Sequence, residues 1–272
     1  MSIKSINIII VAAFAIFNST VSNAQKFIGI NGGYCIGTFT DFTKKENYDA
    51  NYHFKKGFSF SSFYETKMDS ASDLRVELQY ILQNADMEIN NNAGHASFYK
   101  NLDYSFRLIN LNLVYSFQLI ERKSSNVRFL IGPTFSYNLT TSTKGSGWEF
   151  YYQTQIDTNG NPVSILTKRN WEKNEQNSND LSKFNIGFDI GLALIIPMND
   201  RIDLIFQNKY NILLTNITTL DDLRHTSLLT GHLNIGLRYN LHRYTDNDKY
   251  GAARQNPPTT DDRRNVKHQI KR

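Results

Sequence analysis

The stretch from residue 184 to residue 196 constrains the fold of this chain more than any other segment. Every second residue is large and apolar, from Phe184 to Ile196, and the residues between them include Asn185, Asp189 and two glycines. A period of two predicts a β-strand with one apolar face, because successive side chains point to opposite sides of a strand. Thirteen residues exceed the roughly 5–6 of a soluble strand and suit a tilted membrane-spanning strand of about 9–11. The stretch therefore predicts one strand of an outer-membrane β-barrel, with its apolar face toward lipid.

The first 24 residues predict a secretory signal peptide that is cleaved after Ala24. Lys4 supplies a positive start, residues 6–17 form an apolar run, and residues 22–24 are small. This order of charge, apolar run and small residues is typical of exported proteins. The alternative is a helical membrane anchor, which needs about 20 apolar residues, whereas this run spans 12.

Seven further stretches of alternation follow the same rule, so that the sequence predicts eight strands. With the first stretch included, the eight span residues 27–36, 57–66, 74–83, 109–118, 127–137, 184–196, 202–212 and 229–241, and Asn208 falls on the apolar side of the seventh. Short connectors alternate with long polar ones, of which residues 140–183 are the longest. This alternation is typical of up-and-down outer-membrane barrels, which have short periplasmic turns and long outer loops. We therefore predict an all-β fold, an eight-stranded antiparallel up-and-down transmembrane β-barrel over residues 25–242, with both termini in the periplasm.

A soluble lipocalin-type barrel is the alternative architecture with eight strands. Such a barrel puts its apolar residues inside, whereas here the face opposite the apolar one is rich in Gly, Asn, Ser, Arg and Glu. Aromatic residues also favour the membrane barrel, because they fall near both ends of the apolar faces, where amphipathic rings prefer to lie. They are Tyr34, Phe58, Phe60, Phe135, Tyr137, Phe184 and Tyr210 at one end, and Tyr64, Tyr115, Phe117 and Tyr239 at the other.

Charged residues on the inward face of the predicted strands form the candidate site. They are Arg75, Glu77, Arg128, Asp189, Asp203, Lys209, His232 and Arg238. Eight strands enclose an interior about wide enough to be filled by side chains, and buried charges must pair or be solvated. We expect a plug of ion pairs in the lumen, and a narrow porin-like channel is the alternative.

No spacing in the sequence indicates catalysis. The histidines at positions 53, 95 and 225 fall in the long loops and His232 falls in the barrel wall, without a Ser/His/Asp pattern or metal-ligand spacing beside them. We therefore predict no enzymatic activity, no cofactor and no metal, and a lipid-modifying outer-membrane enzyme is the second alternative.

Residues 243–272 predict a basic tail that does not fold alone. The tail holds eight Lys or Arg and four Asp, few apolar residues and the pair Pro257-Pro258. It carries four of the five net positive charges, so the barrel itself is close to neutral and a nucleic-acid partner is not indicated. The expected contact patch, facing an acidic periplasmic or outer-membrane protein partner, comprises Arg263, Arg264, Lys267, Lys271 and Arg272. A disordered remnant is the alternative.

Several motifs in a fixed order give a family resemblance over residues 25–242. They are Asn23-Ala24-Gln25, Leu130-Ile131-Gly132-Pro133, the paired stretches 184–196 and 202–212, and the last strand with His232-Leu233-Asn234-Ile235-Gly236-Leu237-Arg238-Tyr239. In these features the chain resembles the PorT-like family of small outer-membrane β-barrels of Gram-negative bacteria. The resemblance implies an outer-membrane location and a link to protein secretion, although the tail departs from barrels that end on a terminal aromatic residue. The function predicted is a non-enzymatic scaffold or secretion-associated barrel that acts in outer-membrane lipid through its outer loops and its tail.

Overall fold

The protein folds into ten antiparallel β-strands in the computed structural model, which describes residues 25–41, 48–91, 97–122, 124–156, 158, 161–176, 181–217 and 226–241. The strands are β1 (Lys26–Asp41), β2 (Tyr48–His53), β3 (Lys55–Lys67), β4 (Ser72–Asn91), β5 (Phe98–Arg122), β6 (Ser125–Ile156), β7 (Pro162–Gln176), β8 (Phe184–Pro197), β9 (Ile202–Leu213) and β10 (Thr226–Asn240). The predicted signal peptide and the basic tail lie outside the described residues.

Eight of the strands form a closed ring. Neighbours pair in the order β1, β3, β4, β5, β6, β8, β9 and β10, and β10 pairs with β1. The other two strands pair with the extended ends of two ring strands. β2 pairs with residues 86–91 of β4, beyond the part of β4 that pairs with β3. β7 pairs with residues 142–156 of β6, beyond the part of β6 that pairs with β8. The prediction of an eight-stranded antiparallel barrel is confirmed, and two further strands lie within stretches that were expected to be loops.

The short connections lie together at one end of the ring, which we call the turn end. In the first of them the Asp69 carboxylate accepts hydrogen bonds from the backbone N–H groups of Ala71 and Ser72, at 2.7 and 2.8 Å. In the turn before β9 the Asn199 side chain accepts two backbone hydrogen bonds in the same way. Such side-chain to backbone bonds favour tight turns and hold the flanking strands in register. We call the opposite end the loop end.

The loop end contains more sheet than the sequence predicts. The stretch 140–183 was expected to be a polar loop, but β6 continues through it to Ile156 and returns as β7. β4 and β5 likewise extend to Asn91 and Phe98. Together β2, β4, β5, β6 and β7 form a sheet at this end, which we call the loop-end sheet.

The apolar residues of β5 change sides along this strand, which explains the missed extension. Leu102, Tyr104, Phe106 and Leu108 are buried inside, whereas below them the inward residues are Asn110 and Asn112. Below the change the apolar residues from Ile109 to Phe117 face outward, except Val114, which is buried inside. The side chains still alternate between the two faces, but the apolar face changes from the outer to the inner one. The reason is that this part of the strand meets water on its outer face, so that its apolar residues pack into an inner core.

Two apolar clusters separate a polar middle from the ends of the ring. The larger cluster lies toward the loop end and includes Phe39, Met87, Tyr104, Phe106 and Leu228. The smaller one lies toward the turn end and comprises Phe63, Val114, Leu130, Ala193, Ile195 and Ile205. In the part of the chain that is described, no helix is sufficiently long and apolar to cross a membrane.

Candidate functional site: the charged network inside the barrel

Glu65 is the centre of the charged group nearest the turn end. It lies directly opposite Arg75 in the β3–β4 pair, and Arg75 donates to its Oε2 from Nε at 2.8 Å. Arg238, which comes from the last strand of the ring, donates to the other oxygen of Glu65 at 2.5 Å and from its Nε to Asp203 at 2.8 Å. Glu65 is fully buried, so both of its oxygens are neutralised by guanidinium groups rather than by water.

Two aromatic rings lie against the same guanidinium groups. The Arg75 guanidinium carbon is 4.2 Å from the centroid of the Phe63 ring, and that of Arg238 is 4.0 Å from the centroid of the Phe27 ring. A cation above an aromatic face is attracted by the ring quadrupole, more strongly when both are desolvated. The rings therefore fix the planes in which the two arginines present their donors to Glu65.

A third arginine forms a separate ion pair at the turn end. Arg128, near the start of β6, donates to the buried Asp73 at the start of β4, and also to the Ser116 hydroxyl at 3.2 Å. The pair connects two strands that do not neighbour each other in the ring, since β5 lies between them. It therefore runs along the inner wall, over β5.

The middle of the lumen holds one lysine between two carboxylates. Lys209 Nζ is 3.0 Å from Asp189 Oδ2 and 3.3 Å from Glu77 Oε2, and all three side chains are at most 1% exposed. Asp189 also accepts a hydrogen bond of 2.6 Å from Asn211. Because β4 and β9 are four strands apart in the ring, the Lys209 side chain spans the lumen and closes it with charge.

His232 lies outside these ion pairs. Its Nδ1 is 3.5 Å from Gln79 Nε2 and 3.4 Å from the Ser59 hydroxyl, so its neighbours on this side are neutral polar groups. The eight residues that the sequence singled out thus fall into three sets in the structure: Arg75, Arg128, Asp203 and Arg238 near the turn end, Glu77, Asp189 and Lys209 in the middle, and His232 in a neutral network.

Two central members of the network were missed by the sequence reasoning. Glu65 lies on the same inward face of its strand as Ser59 and Ser61. Asp73 has the same odd-numbered position as Arg75 and Glu77, so it also points inward. Parity alone was therefore a sufficient signal for both of them. Asp73 was missed because the predicted strand began one residue after it.

The histidines considered as catalytic candidates do not come together with one another in the described residues. His53 Nδ1 lies 3.3 Å from Asp86 at the loop end, where Asp86 also pairs with Lys55, while positions 95 and 225 lie outside the described residues. Within the described residues, no group of three His, Cys, Asp or Glu side chains is placed to hold a metal ion. The tail patch of Arg263, Arg264, Lys267, Lys271 and Arg272 is likewise outside the described residues.

A closed antiparallel ring with a lipid-compatible exterior and a paired charged interior defines a β-barrel of the outer membrane. The chain belongs to the outer membrane protein beta-barrel domain family, whose model matches residues 23–219. This match establishes the general family and an outer-membrane location, and the narrower PorT-like assignment stays a prediction. A search of curated proteins found no match.

Solved structures of other outer-membrane proteins resemble the chain at low identity. Neisserial surface protein A matches with a TM-score of 0.40 and 12% identity, over 79% of this chain and 97% of that chain. Ail of Yersinia pestis matches with a TM-score of 0.35 and 10% identity, over 79% and 99%. The outer membrane protease OmpT of Escherichia coli matches with a TM-score of 0.41 and 6% identity, over 81% and 98%. Similarity at this level carries no inference about function.

Proposed function

We propose that this outer-membrane protein is a non-conducting, non-enzymatic interaction protein that binds a protein partner with its loop-end sheet. One observation carries the proposal: the interior of the ring is filled with packed apolar and ion-paired side chains, while the loop end presents an extended sheet with one edge that no described strand covers. A barrel of this kind acts as an anchor that holds a binding surface above the membrane.

The filled interior argues against conduction. The lumen contains the Glu65 group and the smaller apolar cluster side by side toward the turn end, the Lys209 ion pairs in the middle and the larger apolar cluster toward the loop end. Each charged layer satisfies its members by opposite charge, and an apolar layer presents no ligands to a hydrated ion. A sugar or ion would have to break these layers in succession.

The loop-end sheet provides the binding surface. In β4 the outward apolar residues end at Leu82, and the strand continues to Asn91, which at about 3.3 Å per residue adds roughly 30 Å of strand length. β6 extends further, to Ile156. Its Phe150 N–H still donates to the Ser97 carbonyl at 3.2 Å, and beyond Phe150 it pairs with β7 alone among the described strands. This two-stranded ribbon, residues 150–168, exposes Tyr152, Ile156 and Ile165 to solvent.

The outer edge of β7 is the part of the ribbon best suited to a protein partner. All 15 residues of β7 pair with β6, and no other described strand pairs with β7. An unpaired edge offers a row of backbone donors and acceptors to an added strand, which gives affinity through the main chain. Cations and aromatic rings flank it, with Lys168 Nζ 4.6 Å from the Trp148 ring centroid and the Arg169 guanidinium 5.5 Å from that of Tyr151.

Permeation tests the closed lumen. Liposomes that contain the purified protein should not swell in sugar solutions that pass through a general porin reconstituted in parallel. Free permeation of small sugars would contradict the proposal and favour the narrow channel.

Removal of the ribbon tests the binding surface. Residues 150–168 are replaced by an Asn-Gly turn, which leaves the β5–β6 pairing intact. The matched control ends after His242 and lacks the tail. Partners captured with a cross-linker that does not cross the outer membrane should be lost from the ribbon variant and kept by the control. Retention of every partner by the ribbon variant would contradict the proposal.

The PorT-like resemblance extends the proposal to a secretion-associated role, in which the partner is an exported protein. In this arrangement the turn end, both termini and the basic tail face the periplasm, and the tail binds an acidic protein partner there.

Protease added to intact cells should cut near Lys168 and Arg169 and leave the tail intact. Cleavage of the tail alone would reverse the orientation, and truncation after His242 should release a periplasmic partner without unfolding the barrel.

A further inference from the structure

Two charged side chains of opposite sign on β7 form no ion pair with any described residue. They are Lys168 and Glu172, which are both exposed and lie on the same face of the strand, on either side of Asn170. The β6 residues directly opposite them are Phe150 and Ser146, so neither meets a charge across the β6–β7 pair. Four positions along a strand span about 13 Å, which is too far for Lys168 and Glu172 to pair with each other.

The remaining charges of β7 are neutralised within the same chain. Arg169 pairs with Glu149 of β6, and Lys173 Nζ lies 3.3 Å from the carboxylate of Glu175, two positions further along β7. Lys168 and Glu172 are therefore the charges of this strand that are left for a partner. They belong to the strand whose outer edge no described strand covers.

The positions of these two charges make the edge complementary to itself. An added antiparallel strand whose Asn170 lies opposite Asn170 of β7 places its own Glu172 opposite Lys168, and its own Lys168 opposite Glu172. Opposite charges directly across a strand pair stabilise it, and like charges destabilise it. A second copy of β7 thus satisfies both charges at once, whereas a strand with charges of one sign satisfies only one of them.

The neighbouring registers of such a pair are unfavourable. Residues of β7 point their backbone groups alternately toward β6 and toward the open edge, so an added strand can shift only in steps of two residues. One step brings Arg169 opposite Arg169, and one step the other way brings Arg169 opposite Lys173. Both are pairs of like charge. The charges therefore select the register centred on Asn170, in which residues 164–176 of the two copies pair.

We propose that a second copy of this protein, anchored in a facing outer membrane, adds its β7 to the β7 edge, with Lys168 of each copy opposite Glu172 of the other. This inference rests on the proposed function, because it names the partner of the loop-end sheet. The two-fold axis that relates two antiparallel strands is perpendicular to their sheet. Since the loop-end sheet continues the wall of the ring, this axis lies parallel to the membrane and inverts the second copy.

Contact between two cells or vesicles that carry this protein is the function that follows. One contact of this kind is weak, because exposed ion pairs contribute little to it and the backbone groups of the edge exchange water for each other. Many copies on two apposed membranes act together, so that the membranes adhere although each pair dissociates readily.

Aggregation of vesicles that contain only this protein tests the inference. Native vesicles should aggregate, and Lys168→Glu or Glu172→Lys should each slow aggregation at least about tenfold, because each puts like charges opposite each other. A mixture of these two vesicle populations should aggregate again, since each substitution supplies the charge that the other one needs. Lys144→Glu, a charge reversal at an exposed position of β6, is the control and should not slow aggregation.

Heat-modifiable gel mobility shows that each variant in these vesicles is folded. Native vesicles that do not aggregate, variants that aggregate like the native protein, or a mixture that does not recover would each overturn the inference.

Disulfide cross-linking between vesicles tests the register. The native Cys35 is buried in the barrel and is first replaced by alanine. Asn170→Cys lies opposite itself across the axis, whereas Asn174→Cys, on the same face, lies opposite Leu166 of the other copy. After oxidation with copper phenanthroline, two vesicle populations with differently tagged protein should yield mixed disulfides at least about tenfold more from Asn170→Cys. Equal yields, or disulfides only between equally tagged copies, would exclude the facing pair.

Capture of partners by the ribbon separates this inference from the proposed function. If the ribbon still captures another protein while vesicles of this protein alone do not aggregate, the binding surface stands and the second copy is excluded as its partner.

Discussion

Arg75 donates two hydrogen bonds to Glu65, its direct cross-strand partner, and the same carboxylate accepts a third from Arg238 on the strand that closes the ring. Glu65 therefore joins the β3–β4 hairpin to β10, although 173 positions separate it from Arg238. An ion pair at this place ties together strands that meet only when the barrel is complete.

Loss of this carboxylate should destabilise the barrel strongly. Glu65→Gln leaves two buried guanidinium groups short of their counter-charge, and breaking a buried pair in this way costs about 3–5 kcal/mol. The free energy of unfolding, measured in urea by heat-modifiable mobility, should fall by this amount. Glu149→Gln, which breaks a more exposed pair with Arg169, is the control and should cost about 0–1 kcal/mol. Equal losses for the two variants would mean that the Glu65 site is hydrated and screened.

A charge on the apolar band should cost more at its centre than at its edge. Ile190→Arg places a guanidinium near the bilayer midplane and should lower the free energy of unfolding by about 2–4 kcal/mol. Ile196→Arg, on the same face but next to the turn end, should cost about 0–1 kcal/mol, because the interface is close. Unfolding titrations in lipid vesicles measure both. A larger loss at position 196 than at position 190 would contradict the placement of the band.

Two glycines on β1 should respond oppositely to alanine. A Cβ on Gly29 would collide with the Phe63 ring and with the backbone oxygen of Leu237, so Gly29→Ala should cost about 1–3 kcal/mol. Gly32 has room for a Cβ, and Gly32→Ala should be neutral or stabilise the protein by about 0.5–1 kcal/mol. Urea unfolding at low protein concentration compares the two. Similar losses at both positions would show that the inward and outward faces of β1 are misassigned.

The turn before β4 should become sensitive to acid. The hydrogen bond from the Ser72 hydroxyl, followed by those from the backbone, lowers the pKa of the Asp69 carboxyl below its ordinary value of 3.8. Because the folded pKa is the lower one, the stabilisation is present above the unfolded pKa and is lost as pH falls through the folded pKa. The stability gap between the native protein and Asp69→Ala should therefore be present near neutral pH and close below the ordinary pKa of aspartate. A gap that persists in acid would show that the carboxylate charge does not contribute.

The apolar alternation determined the location of the membrane-spanning strands. Phe184 and Ile186 are exposed and Asn185 is buried, as the alternation of their stretch predicts. This information is local, because the pleat alone decides to which side each side chain points. The same rule holds for the inward position of Arg75, Asp189 and Lys209, which all have the inward parity of their strands.

The strands at the loop end could not be predicted from the local sequence pattern. At the adjacent residues Leu108 and Ile109 the apolar side of β5 changes from the inner to the outer face. In residues 98–108 the apolar residues therefore occupy the positions that would be polar in a lipid-facing strand, and this part was not predicted as a strand. In the same way β7 contains few residues that indicate burial, and its strand conformation depends on pairing with β6.

The sequence by itself determined the strand period, the lipid-facing side and the residues available to the lumen, because these depend on neighbours along the chain. Only the tertiary structure decided which charges meet. Lys209 reaches Glu77 across the ring, and Glu65 receives both Arg75 and Arg238, because closure of the barrel brings β10 beside β1 at one particular register. That register is a property of the closed ring as a whole, since a shift of one residue in any strand would turn its polar side chains outward.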